Sequence, residues 1–394
     1  MRSSQSSTPR PAGRRRPLFD LVAGASSVGL LVGGLALGSV VTNPTATAAP
    51  VANVAVAARP ALPEGTAALG QISSTRALSG DVALVPRDAS LLASYAAAVS
   101  QPGSPEYRHY LSPSAFAAAF SPITSTVAAV ESYLRSDGLK ITSLSQNKLL
   151  VGFTGAASKV DATFHTSIEN YRTAGGRVAF ANDSAVTVPS TLSSAIQAVV
   201  GLNDLVAPQP APLARDTTPS AAPKVPRSTP PAGAAKACKA ANTQASLYGA
   251  LTANDVAYAY GLDPLYAAKD FGQDQTIDIL DLFGYSTSDV TSFDECYFGT
   301  TDGATVVADD SVDNVDNGAE PGNGAGGSVE TELDVESANA YAPQANVVVY
   351  EAPDSDSGFL DDVAAMTASN AKVESISYGE CEETELAETP GYLQ

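Results

Sequence analysis

The segment Glu330-Thr331-Glu332-Leu333-Asp334 sets two carboxylates, Glu330 and Asp334, four residues apart in a stretch from Val329 to Tyr341 that reads as an amphipathic helix. Side chains at i and i+4 share a helical face, so these two acids stand one turn apart. Two carboxylates held close cannot both ionise freely and are disposed to share a proton, which suits acid/base chemistry. Glu332 and Glu336 repeat the spacing on another face, and spacing alone leaves the choice between the pairs open. An isolated pair of this kind is most often a solvated helix surface. Both histidines, His109 and His165, lie far upstream, so a catalytic C-terminal part must work without imidazole.

The elements around Glu330 give it a setting. Thr276 to Phe283 reads as an apolar, branched strand, Ser288 to Tyr297 as a helix and Ala304 to Ala308 as a short strand. An acidic, Gly-rich loop leads into the Glu330 helix. Asn346 to Tyr350 reads as a buried strand, Gly358 to Ala368 as a helix and Val373 to Tyr378 as a further strand. Such alternation predicts an α/β domain with a parallel sheet, whose ligands bind beyond the carboxyl ends of the strands. Asp281, Glu351 and Tyr378 would lie near those ends.

Upstream, residues 66–206 predict a small α+β domain. Helices are expected at Ser90–Val99, Ser114–Phe120, Ser125–Ser136 and Ala156–Phe164, and a strand at Lys148–Thr154. Val127, Val130, Tyr133 and Leu134 have helical spacing, and Gly138 is a natural stop. Residues 207–237 hold a run of prolines among Ala, Ser and Thr with no apolar period, so a linker is expected to stay extended and exposed. Arg215, Lys224 and Arg227 are candidate cut points in it. Residues 238–394 form the last block. Residues 1–48 read as a signal segment: Arg14-Arg15-Arg16 precedes an apolar run from Leu21 to Val41, and Ala46-Thr47-Ala48 offers small residues for cleavage. The length of that run also fits an uncleaved anchor, and Arg15-Arg16 a twin-arginine route. Export is the reading that also supplies the cleavage chemistry.

Charge narrows the partners. The 394 residues carry a formal charge of −20, and residues 301–394 contain 21 of the 42 acids against one cation, Lys372. That disfavours nucleic acid and anionic membrane surfaces. The chain has three cysteines, Cys238, Cys296 and Cys381, and no CxxC pair, which argues against structural zinc. Asp309, Ser311, Asp313, Val315, Asn317 and Glu320 have EF-hand-like spacing but lack the turn glycine at Asn314, so an acidic surface loop is the better reading. Asp356-Ser357-Gly358 matches a short aspartic-protease pattern without a second copy.

Pro105-Glu106-Tyr107-Arg108-His109-Tyr110-Leu111-Ser112-Pro113, with Phe116 and Phe120, resembles the propeptide of the sedolisins, which are secreted serine-carboxyl peptidases. Gln146-Asn147-Lys148, Phe164 with Tyr171, Phe180-Ala181-Asn182 and Val199-Val200-Gly201-Leu202 continue the similarity. After the linker, Leu251-Thr252, Tyr260-Gly261-Leu262, the strand at Thr276 and Glu330 to Pro343 resemble the start of the peptidase domain. The resemblance implies an inhibitory, chaperoning propeptide followed by part of an α/β subtilisin-like domain. It implies Glu330 as the base and Asp334 as its partner in a Ser-Glu-Asp triad, acting on protein or peptide substrates at acidic pH. A carboxylate can still accept a proton where imidazole is already protonated.

In supporting positions Asp281 stands where a longer acid is usual, and Tyr378, in Ser377-Tyr378-Gly379, where Trp is usual; core packing is the competing reading for Tyr378. The family's oxyanion Asp and nucleophile Ser belong downstream, and no Gly-Thr-Ser occurs; Ser79-Gly80-Asp81 is a chance match. The chain is therefore expected to be a truncated precursor, inactive alone and without the family's calcium site. Cys238 is expected to pair with Cys296, and Cys381 to have its partner elsewhere. A non-catalytic homologue or propeptide-type inhibitor is the alternative, and a secreted binding module a third class. A reading frame that continues into Gly-Thr-Ser would favour the peptidase.

Overall fold

The structure, a computed structural model, describes residues 52–205, 209–210, 229–299, 311–315, 326–369 and 371–379. The signal segment, Cys381, most of the linker and the expected strand at Ala304–Ala308 lie outside the described residues. No single helix among the described residues is long and apolar enough to cross a membrane.

The first region holds strands β1 (Asn53–Ala57), β2 (Ala67–Gln71), β3 (Ala77–Leu84), β4 (Lys140–Leu144), β5 (Leu150–Ala156), β6 (Ile168–Arg172), β7 (Val178–Asn182), β8 (Val186–Pro189) and β9 (Ile196–Val200). Its helices are α1 (Ala89–Ser100), α2 (Pro113–Phe120), α3 (Thr124–Ser136) and α4 (Ala157–Phe164). The main sheet has the order β4-β5-β3-β9, wholly antiparallel. β2-β6-β7 and the β1-β8 pair flank it. Val127, Val130 and Leu134 of α3 and Ala157, Val160 and Phe164 of α4 all bury against Val82, Val151 and Phe153. Their spacing places them on one face of each helix, and burying that face is the main source of stability here. The expected strand from Lys148 begins later, at Leu150. Lys148 has φ 60° and its amide donates to Ser145 O at 2.8 Å, so Ser145 to Leu150 is a turn. Asn147 Oδ1 fixes that turn by accepting from Leu149 N at 3.0 Å.

The second region begins after the linker. Helices α5 (Lys239–Tyr248), α6 (Ala253–Ala259) and α7 (Asp263–Ala267) precede strand β11 (Thr276–Asp281), since the two-residue strand β10 (Gln209–Pro210) lies earlier in the chain. Helix α8 (Thr287–Phe298), strand β12 (Ser311–Asn314), helix α9 (Gly326–Tyr341), strand β13 (Asn346–Glu351), helix α10 (Asp356–Ala368) and strands β14 (Val373–Ser375) and β15 (Tyr378–Gly379) follow. The sheet order is β12-β13-β11-β14, and every neighbouring pair is parallel. A disulfide joins Cys238 to Cys296, as the resemblance implied, and ties the start of α5 to α8.

The two faces of this sheet carry separate cores. Ile279, Val347 and Val349 meet Val335 of α9 and Val290 of α8. Leu280, Tyr350 and Val348 meet Met366, Phe359 and Val363 of α10. Alternation along each strand accounts for this division. Ser311–Asn314 falls in what reads as a loop from sequence. It is a strand because the free edge of β13 supplies backbone partners that four polar-flanked residues cannot signal by themselves.

The first region docks on α10. Leu111, Pro113, Phe116, Leu149 and Leu150 face Leu360, Val363 and Ala364 across an apolar groove. A second cavity lies between Arg76, Asp81, Phe180 and Asp204 on one side and Asp354, Ser357 and Asp361 on the other.

Candidate active site

Helix α9 packs on β11 and β13 and brings Glu330 to the carboxyl ends of the strands. The amphipathic reading of this helix is corrected by what it buries. Ser328, Glu330, Thr331 and Asn339 are buried beside Val335 and Ala340, while Leu333 is exposed. A polar face turned into protein is costly unless it serves a purpose, because buried polar groups must be hydrogen bonded.

Glu330 and Asp334 stand on α9 with Glu330 only 4% exposed. Burial raises the Glu330 pKa above the ordinary carboxylate range, and the Asp334 charge raises it further. Glu330 Oε2 is buried without a hydrogen-bond partner among the described residues. Asp334 accepts from Ser377 Oγ at 2.6 Å. Burial raises its pKa too, and the Ser377 hydroxyl opposes the rise. The two acids are thus neighbours in charge, while the one hydrogen bond that fixes Asp334 comes from Ser377. Sequence reading singled out the turn containing Ser377 but not its hydroxyl.

Asp281, at the end of β11, is fully buried. Its Oδ1 accepts from Thr331 Oγ1 at 2.6 Å, from Phe283 N at 2.9 Å and from Tyr378 OH at 3.4 Å. Burial raises its pKa, and these donors oppose the rise. Asp281 therefore grips α9 through Thr331, the residue after Glu330, rather than through Glu330 itself. Thr331 carries no motif signal and becomes legible only when the helix sits on the strand. Tyr378 packs in the core and also reaches Asp281 with its hydroxyl. Its ring stacks on Phe283 at 6.0 Å within the α10-side core, and its hydroxyl also accepts from Leu282 N at 3.4 Å.

Glu351 ends β13 in direct register with Asp281. Burial pushes its pKa up to about 7, with the Asp281 charge adding to the rise. The second pair, Glu332 and Glu336, lies apart from this group. Glu332 Oε1 accepts from Ser286 N at 3.1 Å. Burial pushes Glu336 up to about 7, followed by the charges of Glu332, Asp294 and Asp289. Asp356-Ser357-Gly358 opens α10 and is explained by structure alone. Ser355 Oγ accepts from Gly358 N at 3.0 Å, and a Cβ on Gly358 would meet Pro353 O at 2.0 Å.

Beyond these acids lies a strand edge. Gln209–Pro210 of the linker pairs antiparallel with Tyr378–Gly379, and β10 also touches α9. Part of the linker is thus held as a strand, where sequence suggested only a free extended spacer. The site as a whole offers buried carboxylates, a fixed second acid and a strand edge that pairs with an extended backbone. That combination can take a proton from a hydroxyl and return it to a leaving group. Among the described residues no cluster of three or more His, Cys, Asp or Glu could hold a metal ion.

Residues 64–205 match the family described as "Pro-kumamolisin, activation domain". The chain is 34% identical to xanthomonalisin of Xanthomonas sp. (strain T-22) over 139 residues, covering 35% of this chain and 17% of the relative. It is 31% identical to sedolisin of Pseudomonas sp. (strain 101) over 177 residues, 45% of this chain and 29% of the relative. It is 28% identical to kumamolisin of Bacillus sp. (strain MN-32) over 284 residues, 70% of this chain and 46% of the relative. The chain spans less than half the length of each of these relatives.

Proposed function

We propose that this sedolisin-family chain belongs to the precursor of a secreted endopeptidase that cleaves proteins in acid, with Glu330 as general base and Asp334 as its partner. The observation that carries this reading is the linker strand: Gln209–Pro210 lies along Tyr378–Gly379 against the helix that bears Glu330. A substrate peptide would add to the same edge by main-chain hydrogen bonds, the usual way an extended peptide is held. The first region would then serve as propeptide, docked on α10 and feeding its linker across the site. The described sheet would form part of a subtilisin-like sheet in the whole protein. Arg14-Arg15-Arg16 and the apolar run after it would direct export.

The chemistry follows from the acids. A serine hydroxyl, supplied from outside the described residues, attacks the peptide carbonyl carbon while its proton passes to the Glu330 carboxylate. Glu330 then returns that proton to the departing amine as the carbon–nitrogen bond breaks. Burial lifts the proton affinity of Glu330, so it remains a competent base while still holding the proton long enough to give it back. Asp334, fixed by Ser377, keeps a charge one turn away and tunes that affinity.

In the intact precursor brought to acid pH, casein hydrolysis should appear, and Glu330→Gln should lower kcat/KM by roughly 10²- to 10⁴-fold. Glu332→Gln should change it little, which separates the two helix pairs. Hydrolysis that survives Glu330→Gln, or that Glu332→Gln abolishes, overturns the assignment.

A further inference from the structure

Glu351 has no part in the proton transfers above, yet it is placed where it must affect them. Asp281 and Glu351 face each other in register on neighbouring parallel strands, which run about 4.8 Å apart. Ile279, Val347 and Val349 turn toward α9, and two-residue alternation carries Asp281 and Glu351 to that same face. Asp281 is fully buried and Glu351 is 9% exposed. Thr331, Phe283 and Tyr378 donate to Asp281 Oδ1; Oδ2 is buried and has no hydrogen-bond partner among the described residues. No ion pair reaches either acid among the described residues. Two carboxylates so placed, without a cation, hold one proton between them.

We propose that Glu351 is a positioning residue of this site: as a neutral acid it leaves Asp281 as the single charge that holds the Thr331 and Tyr378 hydroxyls, and its ionisation breaks that arrangement. The inference rests on the peptidase reading for its purpose but not for its test. Thr331 follows Glu330 on α9, so a loosened Asp281–Thr331 bond shifts the base itself. The groups that reach Asp281 are Thr331 from α9, Tyr378 from β15 and the backbone amides of Phe283 and Gly284; Glu330 precedes Thr331 on α9, with Asp334 one turn further along. None of these can neutralise a second negative charge. Burial and the Asp281 charge both favour the protonated form of Glu351 well above the ordinary glutamate range. The site is thereby confined to the acid side of neutrality.

Carboxyl carbon NMR of the chain, labelled in Asp and Glu, tests this directly. In the wild type Glu351 should titrate near neutral pH, and the Tyr378 ring signals should move with it. Glu351→Gln should keep the Tyr378 signals in their low-pH positions across that range. Asp281→Asn should return the Glu351 midpoint toward the ordinary glutamate range, and it serves if the Gln variant does not fold. Glu336→Gln is the control, because Glu336 also titrates near 7 but lies on another face of α9; it should leave the Tyr378 transition in place. An unchanged Tyr378 transition in Glu351→Gln, or an unchanged Glu351 midpoint in Asp281→Asn, overturns the proposal. Loss of hydrolysis plays no part in these readouts, so failure of the peptidase reading would appear separately, in the Glu330 variant.

Discussion

The two regions of this chain bury different things. The first region closes around a large apolar cluster and a smaller one of Tyr171, Ala179, Ala181 and Leu205, and Asp81 is its one buried acid among the described residues. The region after the linker buries Asp255, Asp278, Asp281, Asp294, Glu330, Glu351 and Asp362, and divides its apolar residues among the two sheet faces and a third cluster around Tyr266 and Phe271. A region that fills its core with Val, Leu and Phe gains stability that does not depend on pH. Burial raises the pKa of Asp281, Glu330 and Glu351 in the second region, so the stability that these acids contribute is largest in acid and falls as pH rises. On the function proposed above, the difference suits a propeptide that supports the folding of an acid-acting partner.

The largest expected effect tests the first half of that contrast. Phe153 is fully buried and packs on Phe164 with ring centroids 5.3 Å apart. Phe153→Ala should destabilise the first region by about 3–5 kcal/mol. The loss should be the same at pH 4 and pH 7 when measured by denaturant unfolding. A loss that varied strongly with pH would show that this core also depends on ionisation.

Glu336 tests the second half. Its folded pKa, pushed up to about 7, exceeds the ordinary value of 4.5, so the folded state binds the extra proton. Stability from this residue is therefore complete below about 4.5 and is lost as pH rises through about 7. The groups facing it are Glu332 on its own helix and Asp289 and Asp294 on α8, all acidic, with Tyr297 nearby. Glu336→Gln should raise stability by about 2 kcal/mol at pH 8 and leave it unchanged at pH 4. Calorimetry at the two pH values would decide it, and equal melting temperatures for variant and wild type at pH 8 would remove Glu336 from the account.

The same contrast explains what the sequence made legible. Helices α3 and α4 announce themselves by apolar spacing, because apolar packing is what holds them. Strands β11 and β13 are visible as branched apolar runs. Helix α9 is visible as a helix and as the bearer of Glu330, but its orientation is not. Its buried face is made of Ser328, Glu330, Thr331 and Asn339, and polar residues give no periodic signal for burial. Strands β10 and β12 were hidden because each takes its hydrogen bonds from an edge built far away in sequence. The Ser377 bond to Asp334 spans 43 residues and the Thr331 bond to Asp281 spans 50. Only the folded sheet brings those partners together.

The smallest effect belongs to the joint between the regions. Asp354 precedes α10 and lies at the cavity facing the first region, where the charge of Arg177 acts on it. Arg177 is itself held by donating to Leu205 O at 2.8 Å and lies 3.7 Å from Asp204. Burial raises Asp354 to about 6, and Arg177 pulls against the rise. The docked form thus binds a proton at this point, so Asp354 favours docking below about 4 and opposes it as pH rises through about 6. Acid alone, acting here, would tighten the joint rather than open it. Asp354 keeps an exposed edge, and solvent screening limits the effect to under about 1 kcal/mol. Asp354→Asn should slow hydrogen exchange of α10 amides slightly at pH 7 and leave it unchanged near pH 4, whereas Arg177→Ala should speed it at pH 7. Exchange in Asp354→Asn that matched the wild type at both pH values would show that the joint, unlike the site beyond it, is set by its apolar groove alone.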